Sequence, residues 1–311
     1  MHESIGIPGW IDLQVNGHAG VSFSSAELTL EGVAEATLGL VEQGTHGFLA
    51  TVITTPREVM SHCLSVLGEA CEDPRLSKHL LGIHLEGPFL SAAPGAKGAH
   101  PAECMVPPSL ALFQEFQRVA GGHIRLLTLA PELPGALELV AAIGSEVVCS
   151  AGHSLAGYRE LRDAVKAGLR MGTHLGNGIP SQIPRHDNLV IGQMALPEIT
   201  SSLITDGFHL PEGFIRACLA AKGSERLVVV SDQTHLAGLP PGEYSLGIAP
   251  VVLEANGFLH MRDEPYLAGS SRTQAECMSH LATIEGVTER DLYRMGYENP
   301  LKLLGETPLR G

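Results

Sequence analysis

The chain has 311 residues, enough for one large core; a single α/β barrel takes about 250. Its composition, 44% hydrophobic and 17% charged, excludes an intrinsically disordered chain. A formal net charge of -14 argues against nucleic acid or an anionic membrane surface as a general partner, so a negatively charged substrate would need a locally basic pocket.

In chain order, residues 1–8 show no basic region leading into an apolar core, so no signal peptide is expected. No apolar run is long enough to span a bilayer. Short β-type runs follow at 10–15, 47–53, 80–85, 124–129, 146–150, 169–174, 201–205 and 227–231. Between them lie amphipathic stretches, clearest at 26–43, 155–167 and 211–221. Alternating β and α elements predict a parallel sheet wrapped by helices, and eight repeats predict closure into a (β/α)8 TIM barrel. An open doubly wound sheet is the alternative, but its glycine-rich phosphate loop is absent after the first strand. Residues 242–268 read as a β-hairpin insertion turning near Asn256-Gly257, and 274–304 as helical. The whole chain, 1–311, is expected to be one catalytic barrel domain. The six cysteines are scattered without CxxC pairing, which suits reduced thiols in the cytoplasm and argues against a zinc-thiolate site.

Chemically capable residues recur where these strands end. Asp12, Gln14 and Asn16 lie along or after the first, His84 and Glu86 end the third, and His153 follows the fifth. His174 ends the sixth, Asp206 and His209 follow the seventh, and Asp232 follows the eighth. In a barrel all these ends open on one face, where active sites form. Glu86, His153 and His174 together suit a catalytic zinc ion, which takes three protein ligands and keeps a position for water. Any one of these histidines alone would read as an ordinary polar residue at a strand end; three in phase read as a site. Asp232 closes the apolar run LVVVSD, a costly place for a carboxylate unless it is paired or faces a site. It reads as a general base and acid, with a turn or helix-capping aspartate as the alternative.

The segments PGWIDLQVNG (8–17), HLEGPFL (84–90), KGAH (97–100), LTLAPE (127–132), AGHS (151–154), THLGN (173–177), TDGFH (205–209), VSD (230–232) and LAGSS (267–271) are colinear over nearly the whole chain. In them the chain resembles the N-acetylglucosamine-6-phosphate deacetylases of the amidohydrolase superfamily. The resemblance implies a metal held by Glu86, His153 and His174, with Asp232 as base and acid. Many relatives carry H-x-H on the first strand and bind two metals. Here Gln14 and Asn16 stand in those places, and amide side chains are poor zinc ligands, so one divalent ion per chain is implied. Zinc is expected, with iron(II), manganese and cobalt as alternatives.

By the same resemblance, His100 would point at the acetyl carbonyl, and His209 would contact the sugar. Asn177 and Gly178 would offer donors to a substrate phosphate. Arg185 would reach that phosphate across a homodimer interface, as a guanidinium suits phosphate geometry. Two departures fall where the phosphate should bind: Gly176-Asn177-Gly178-Ile179 replaces an aromatic followed by Asn-Ala-Met, and 180–188 is unlike the common form. His235 follows the base and would add a polar contact there. The chain ends leave little for the family's flanking β-sandwich, so that sandwich is expected to be largely absent.

The leading functional reading is deacetylation of N-acetylglucosamine 6-phosphate to glucosamine 6-phosphate and acetate. The altered 176–188 loop keeps open another N-acyl sugar, an N-acyl amino acid or a cyclic amide. A non-catalytic binding barrel is the reading from another class.

Overall fold

The computed structural model describes residues 1–246, 249–263 and 267–308. Eight parallel strands pair each with the next: β1 Trp10–Val15, β2 Thr45–Ile53, β3 Leu80–Glu86, β4 Ile124–Leu129, β5 Val148–Ala151, β6 Met171–Gly172, β7 Thr200–Ile204 and β8 Leu227–Val230. One helix follows each strand: α1 Leu30–Glu42, α2 Arg57–Glu72, α3 Leu110–Val119, α4 Ala136–Ile143, α5 Tyr158–Ala167, α6 Leu189–Ala195, α7 Glu212–Lys222 and α8 Gln274–Leu281. This is the (β/α)8 barrel. Its strands are covered on both faces, which is why WIDLQV and LVVV are buried at every position and read as continuous rather than alternating apolar runs.

Helix starts sit later than hydrophobic periodicity suggests because capping chemistry sets them. The Thr29 side chain accepts from the Gly32 amide, so α1 opens at Leu30 and not at 26. The 274–304 stretch is not one helix. Thr273 caps α8 with a reciprocal Glu276 contact, and Thr288 does the same with Asp291 to start a second short helix, Glu289–Tyr293. A π-helical turn, Arg294–Glu298, and a last helix, Asn299–Leu303, follow. Strand β6 is shorter than its apolar run, because His174 takes a left-handed backbone, φ 29°, and leaves the ladder.

After β8 comes a three-stranded antiparallel sheet: β9 Gly242–Leu246, β10 Ala249–Leu253 and β11 Leu259–Met261. The β10–β11 turn is at Asn256-Gly257, where Gly257 has φ 87° and the Asn256 side chain accepts from the Phe258 amide. Within 242–268, residues 247–248 and 264–266 lie outside the described residues. Among the described residues, no sheet is built from both chain ends, as a flanking β-sandwich would require. Among the described residues, no helix is long and apolar enough to cross a membrane.

Closure of the barrel depends on side chains. At the mouth, the main chains following β1 and β8 meet where Asn16 N donates to Gln233 O, 2.8 Å. Below it, the Gln274 amide donates to the carbonyls of Ile11, 3.1 Å, and Val229, 2.7 Å, one on each side of the seam. The Asp12 carboxylate accepts from the Ser231 amide, 3.2 Å, and hydroxyl, 2.5 Å. These contacts supply the hydrogen bonds that the two strands do not give each other.

Two outcomes test the seam. Gln274→Leu leaves two buried carbonyls without donors and should lower stability in urea unfolding by about 2–4 kcal/mol. Burial pushes the Asp12 carboxyl up to about 7, against the lowering effect of its bonds to Ser231 and Gln14. Its folded value lies above its unfolded one, so the associated stability is complete below about pH 4 and is lost as pH rises through 7. Asp12→Asn has no such titration. The stability advantage of the native chain over this variant should therefore shrink by roughly 2–3 kcal/mol between pH 5 and pH 8. A pH-independent difference would show that Asp12 does not titrate in this range.

Candidate active site

The third strand delivers Glu86 to the barrel mouth, 3% exposed. The Thr54 hydroxyl donates to its carbonyl at 3.1 Å, and Gly87, φ 92°, turns the chain away from the site. His153 lies just past β5 and His174 just past β6. Both have positive φ, 50° and 29°, as does Asp232 after β8, 49°. Left-handed backbone is costly for non-glycine residues and gathers at functional sites. Of the four such non-glycine residues among the described residues, three stand at this one mouth.

Those backbones aim the rings inward. His153 Nε2 is 3.1 Å from Glu86 Oε1, His174 Nε2 is 3.2 Å from the same oxygen, and the two nitrogens are 3.1 Å apart. Around a tetrahedral ion with bonds of about 2.0–2.1 Å, donor atoms lie roughly 3.3 Å from one another. The triangle therefore fits a small divalent cation. The donor set, two imidazoles and a carboxylate, suits the same ions. His153 Nδ1 donates to the Ala96 carbonyl at 2.8 Å, so in the neutral ring that a cation requires the lone pair is on Nε2, facing the centre. His100 also reaches this point: its Nε2 is 3.3 Å from His153 Nε2 and 4.0 Å from Glu86 Oε2. Glu86, His100 and His153 thus form a second, overlapping donor set.

Electrostatics follow from burial. Desolvation alone would raise the Glu86 carboxyl, but hydrogen bonds and charge from His153 and His174 outweigh it and hold it well below the ordinary range. For His174, burial lowers the imidazole and Glu86 more than reverses it. Burial pushes His100 down to about 3, so that ring is neutral.

Asp232 faces the cluster from the eighth strand. Its Oδ1 accepts from Gln14 Nε2, 3.0 Å, and Asn16 Nδ2, 2.8 Å. The same Gln14 nitrogen donates to Glu86 Oε1 at 3.1 Å, so one amide links the two carboxylates. Burial, reinforced by the Glu86 charge, pushes the Asp232 carboxyl up to about 6. A carboxyl poised there takes up and returns a proton near neutral pH.

His209 is held by Asp206: its Nδ1 donates to Asp206 Oδ2 at 2.7 Å, while Asp206 Oδ1 accepts the Phe208 and His209 amides. Its charge acts on Asp232, so it belongs to the same mouth. Asn177 keeps a buried Nδ2 with no partner. Gly178, φ 60°, lies against these two imidazoles: a Cβ there would stand 2.9 Å from His153 Nδ1 and 3.0 Å from His174 Cε1. Arg185 is apart from this cluster within the chain, in the exposed stretch 181–187. His235 lies just past β8, on the chain after Asp232. No hydrogen bond joins it to Asp232 among the described residues, and its Cβ packs near Gly17.

Sequence reasoning gave no role to Asp206, nor to a chain of hydroxyls beneath the ligands. Ser150 and Thr173 hydroxyls are 2.6 Å apart, Thr173 and Thr128 2.7 Å, and Thr128 lies 2.7 Å from His84 Nε2. The signal available was their phase: Thr128 and Ser150 sit on barrel strands, and Thr173 directly follows one and precedes His174.

No protein-family model matches the chain. It is 33% identical over 307 residues to the N-acetylglucosamine-6-phosphate deacetylase of Bacillus subtilis, covering 97% of this chain and 76% of that protein. It is 29% identical to the N-acetylgalactosamine-6-phosphate deacetylase of Escherichia coli, over 96% of this chain and 78% of the other. Among solved structures, a mutant N-acetyl-D-glucosamine-6-phosphate deacetylase of Mycobacterium smegmatis, in complex with N-acetyl-D-glucosamine-6-phosphate, is similar with a TM-score of 0.88 and 28% identity. That match covers 97% of this chain and 78% of the other. With this identity spread over almost its whole length, on the same barrel, the chain belongs to the family of N-acetylglucosamine-6-phosphate deacetylases, in the amidohydrolase superfamily.

Proposed function

We propose that the chain, acting as one catalytic barrel domain with the 242–268 hairpins inserted, removes the acetyl group from N-acetylglucosamine 6-phosphate. The products are glucosamine 6-phosphate and acetate. The observation that carries this reading is the meeting of Glu86, His153 and His174 around one point, with Asp232 linked to Glu86 through Gln14. One divalent ion, zinc by its donor set, is held by Glu86, His153 and His174. When bound, such an ion polarises a carbonyl oxygen and lowers the pKa of water.

The protein's own groups do the rest. Asp232 accepts the proton of the attacking water and passes it to the leaving amine. Gln14 and Asn16 stand where a second metal's histidines would be, and they hold the Asp232 carboxylate in place instead. His100 donates to the acetyl oxygen as negative charge develops there. His209, fixed by Asp206, contacts the sugar. Asn177 Nδ2 and the Gly178 backbone meet the phosphate, a reading supported by the unpartnered Asn177 donor. Arg185 acts from the other protomer of a homodimer. Support comes from its exposed loop, where Ile183 is exposed and, nearby, Tyr158 and Ile191 leave apolar surface open. All six cysteines are free thiols, which supports a cytoplasmic setting.

A second reading changes the sugar: the C4 epimer, N-acetylgalactosamine 6-phosphate. The Escherichia coli relative and the altered 176–188 loop favour it. Competition between the two epimers, compared by kcat/KM, separates them.

Two further outcomes test the site. Asp232→Asn should keep about one metal ion per chain yet lose roughly 10²–10⁴-fold in kcat. Full activity in that variant would remove Asp232 from the chemistry. Arg185→Ala should raise KM for the phosphorylated sugar by about 10-fold or more and leave the unphosphorylated sugar unaffected, as a lost charge-assisted contact predicts. An equal effect on both sugars would assign Arg185 to something other than phosphate.

A further inference from the structure

His153 has one lone pair to give, and its direction is set. Nδ1 donates to the Ala96 carbonyl, so in the neutral ring that binds an ion the lone pair is on Nε2. Against that nitrogen, 3.3 Å away, stands His100 Nε2, with the two rings edge to face at 78°. His100 is 5% exposed, and its Nδ1 is buried without a partner.

Two arrangements reconcile nitrogens this close. His100 donates an Nε2 proton into the His153 lone pair, or both lone pairs face a cation. The first uses the lone pair that His153 would give to an ion. With an ion in the centre, only the second leaves His100 where it is. Glu86 serves both sets, with Oε1 toward His153 and His174 and Oε2 4.0 Å from His100.

We propose that in the substrate-free holoprotein His100 is a further ligand of the ion, filling the position that the acetyl oxygen takes, and that substrate binding displaces it. This rests on the reading above that Glu86, His153 and His174 hold a divalent ion. As a ligand His100 carries its proton on Nδ1. Once displaced it needs that proton on Nε2 to donate to the acetyl oxygen, and exchange with solvent supplies it. The site is thereby closed to adventitious oxygen ligands until a substrate with a suitable carbonyl competes for the position.

The test is X-ray absorption on cobalt(II)-substituted full-length protein, counting imidazoles per ion, with the cobalt visible spectrum recorded alongside. The expected count is three for the native chain without substrate and two for His100→Gln. Asp232→Asn should give three alone and two after addition of N-acetylglucosamine 6-phosphate, which tests the displacement with His100 intact even if His100→Gln folds poorly. A native count of two, with a cobalt spectrum unchanged in His100→Gln, overturns the proposal and leaves the metal centre standing. Failure of the native chain to take up about one ion overturns the centre itself, and this proposal with it.

Discussion

One oxygen atom organises the site. Glu86 Oε1 takes contacts from His153, His174 and Gln14 at 3.1–3.2 Å, from three other strands of the barrel. A buried carboxylate is tolerable only when positive or donating groups surround it. That requirement draws the ends of the first, fifth and sixth strands toward the third. It also sets the charge state of each partner, since the same contacts that hold Glu86 ionised raise His174. Through Gln14 the constraint extends to Asp232 on the eighth strand.

Such a cluster is expensive to build, and the backbone carries part of the cost. His153, His174 and Asp232 all adopt left-handed φ, worth about 1–3 kcal/mol each. The surroundings over-determine these conformations. The His174 amide is tied to the Ser202 hydroxyl at 2.7 Å, and Gly98 and Gly178 let loop backbone press on the His153 ring where any Cβ would collide. A ring packed this closely along its Nδ1–Cε1 edge cannot easily turn away, which is what a preorganised site needs.

Support also comes from below. The hydroxyl chain from Ser150 through Thr173 and Thr128 to His84 fills the barrel beneath the ligands with satisfied hydrogen bonds. His84, pushed down to about 4 by burial, stays neutral there and adds no charge beneath the cluster. Asp12 and Gln274 close the seam between first and last strands, immediately under Gln14 and Asp232. The residues that hold the barrel shut are therefore neighbours of the buried cluster at the mouth, and a fault in the seam would reach that cluster through β1.

The barrel was legible in the sequence because strand and helix alternate eight times, and each apolar run needs burial on both faces. Glu86, His153, His174 and Asp232 were legible because they keep phase with the strand ends. The helix breaks after Leu281 were not, since Thr288 capping overrides an otherwise continuous apolar pattern. Nor was the partnership of Asp206 with His209, which depends on a turn that brings positions three apart face to face. Arg185 shows the limit from the other side: its type suits a phosphate, yet in one chain it stands in solvent. Local order and the inventory of donor groups are written along the chain, because periodicity and residue chemistry are properties of neighbours. Which atoms meet, at what distance and in which tautomer, was decided only by the closed barrel, because those contacts join residues up to 263 positions apart.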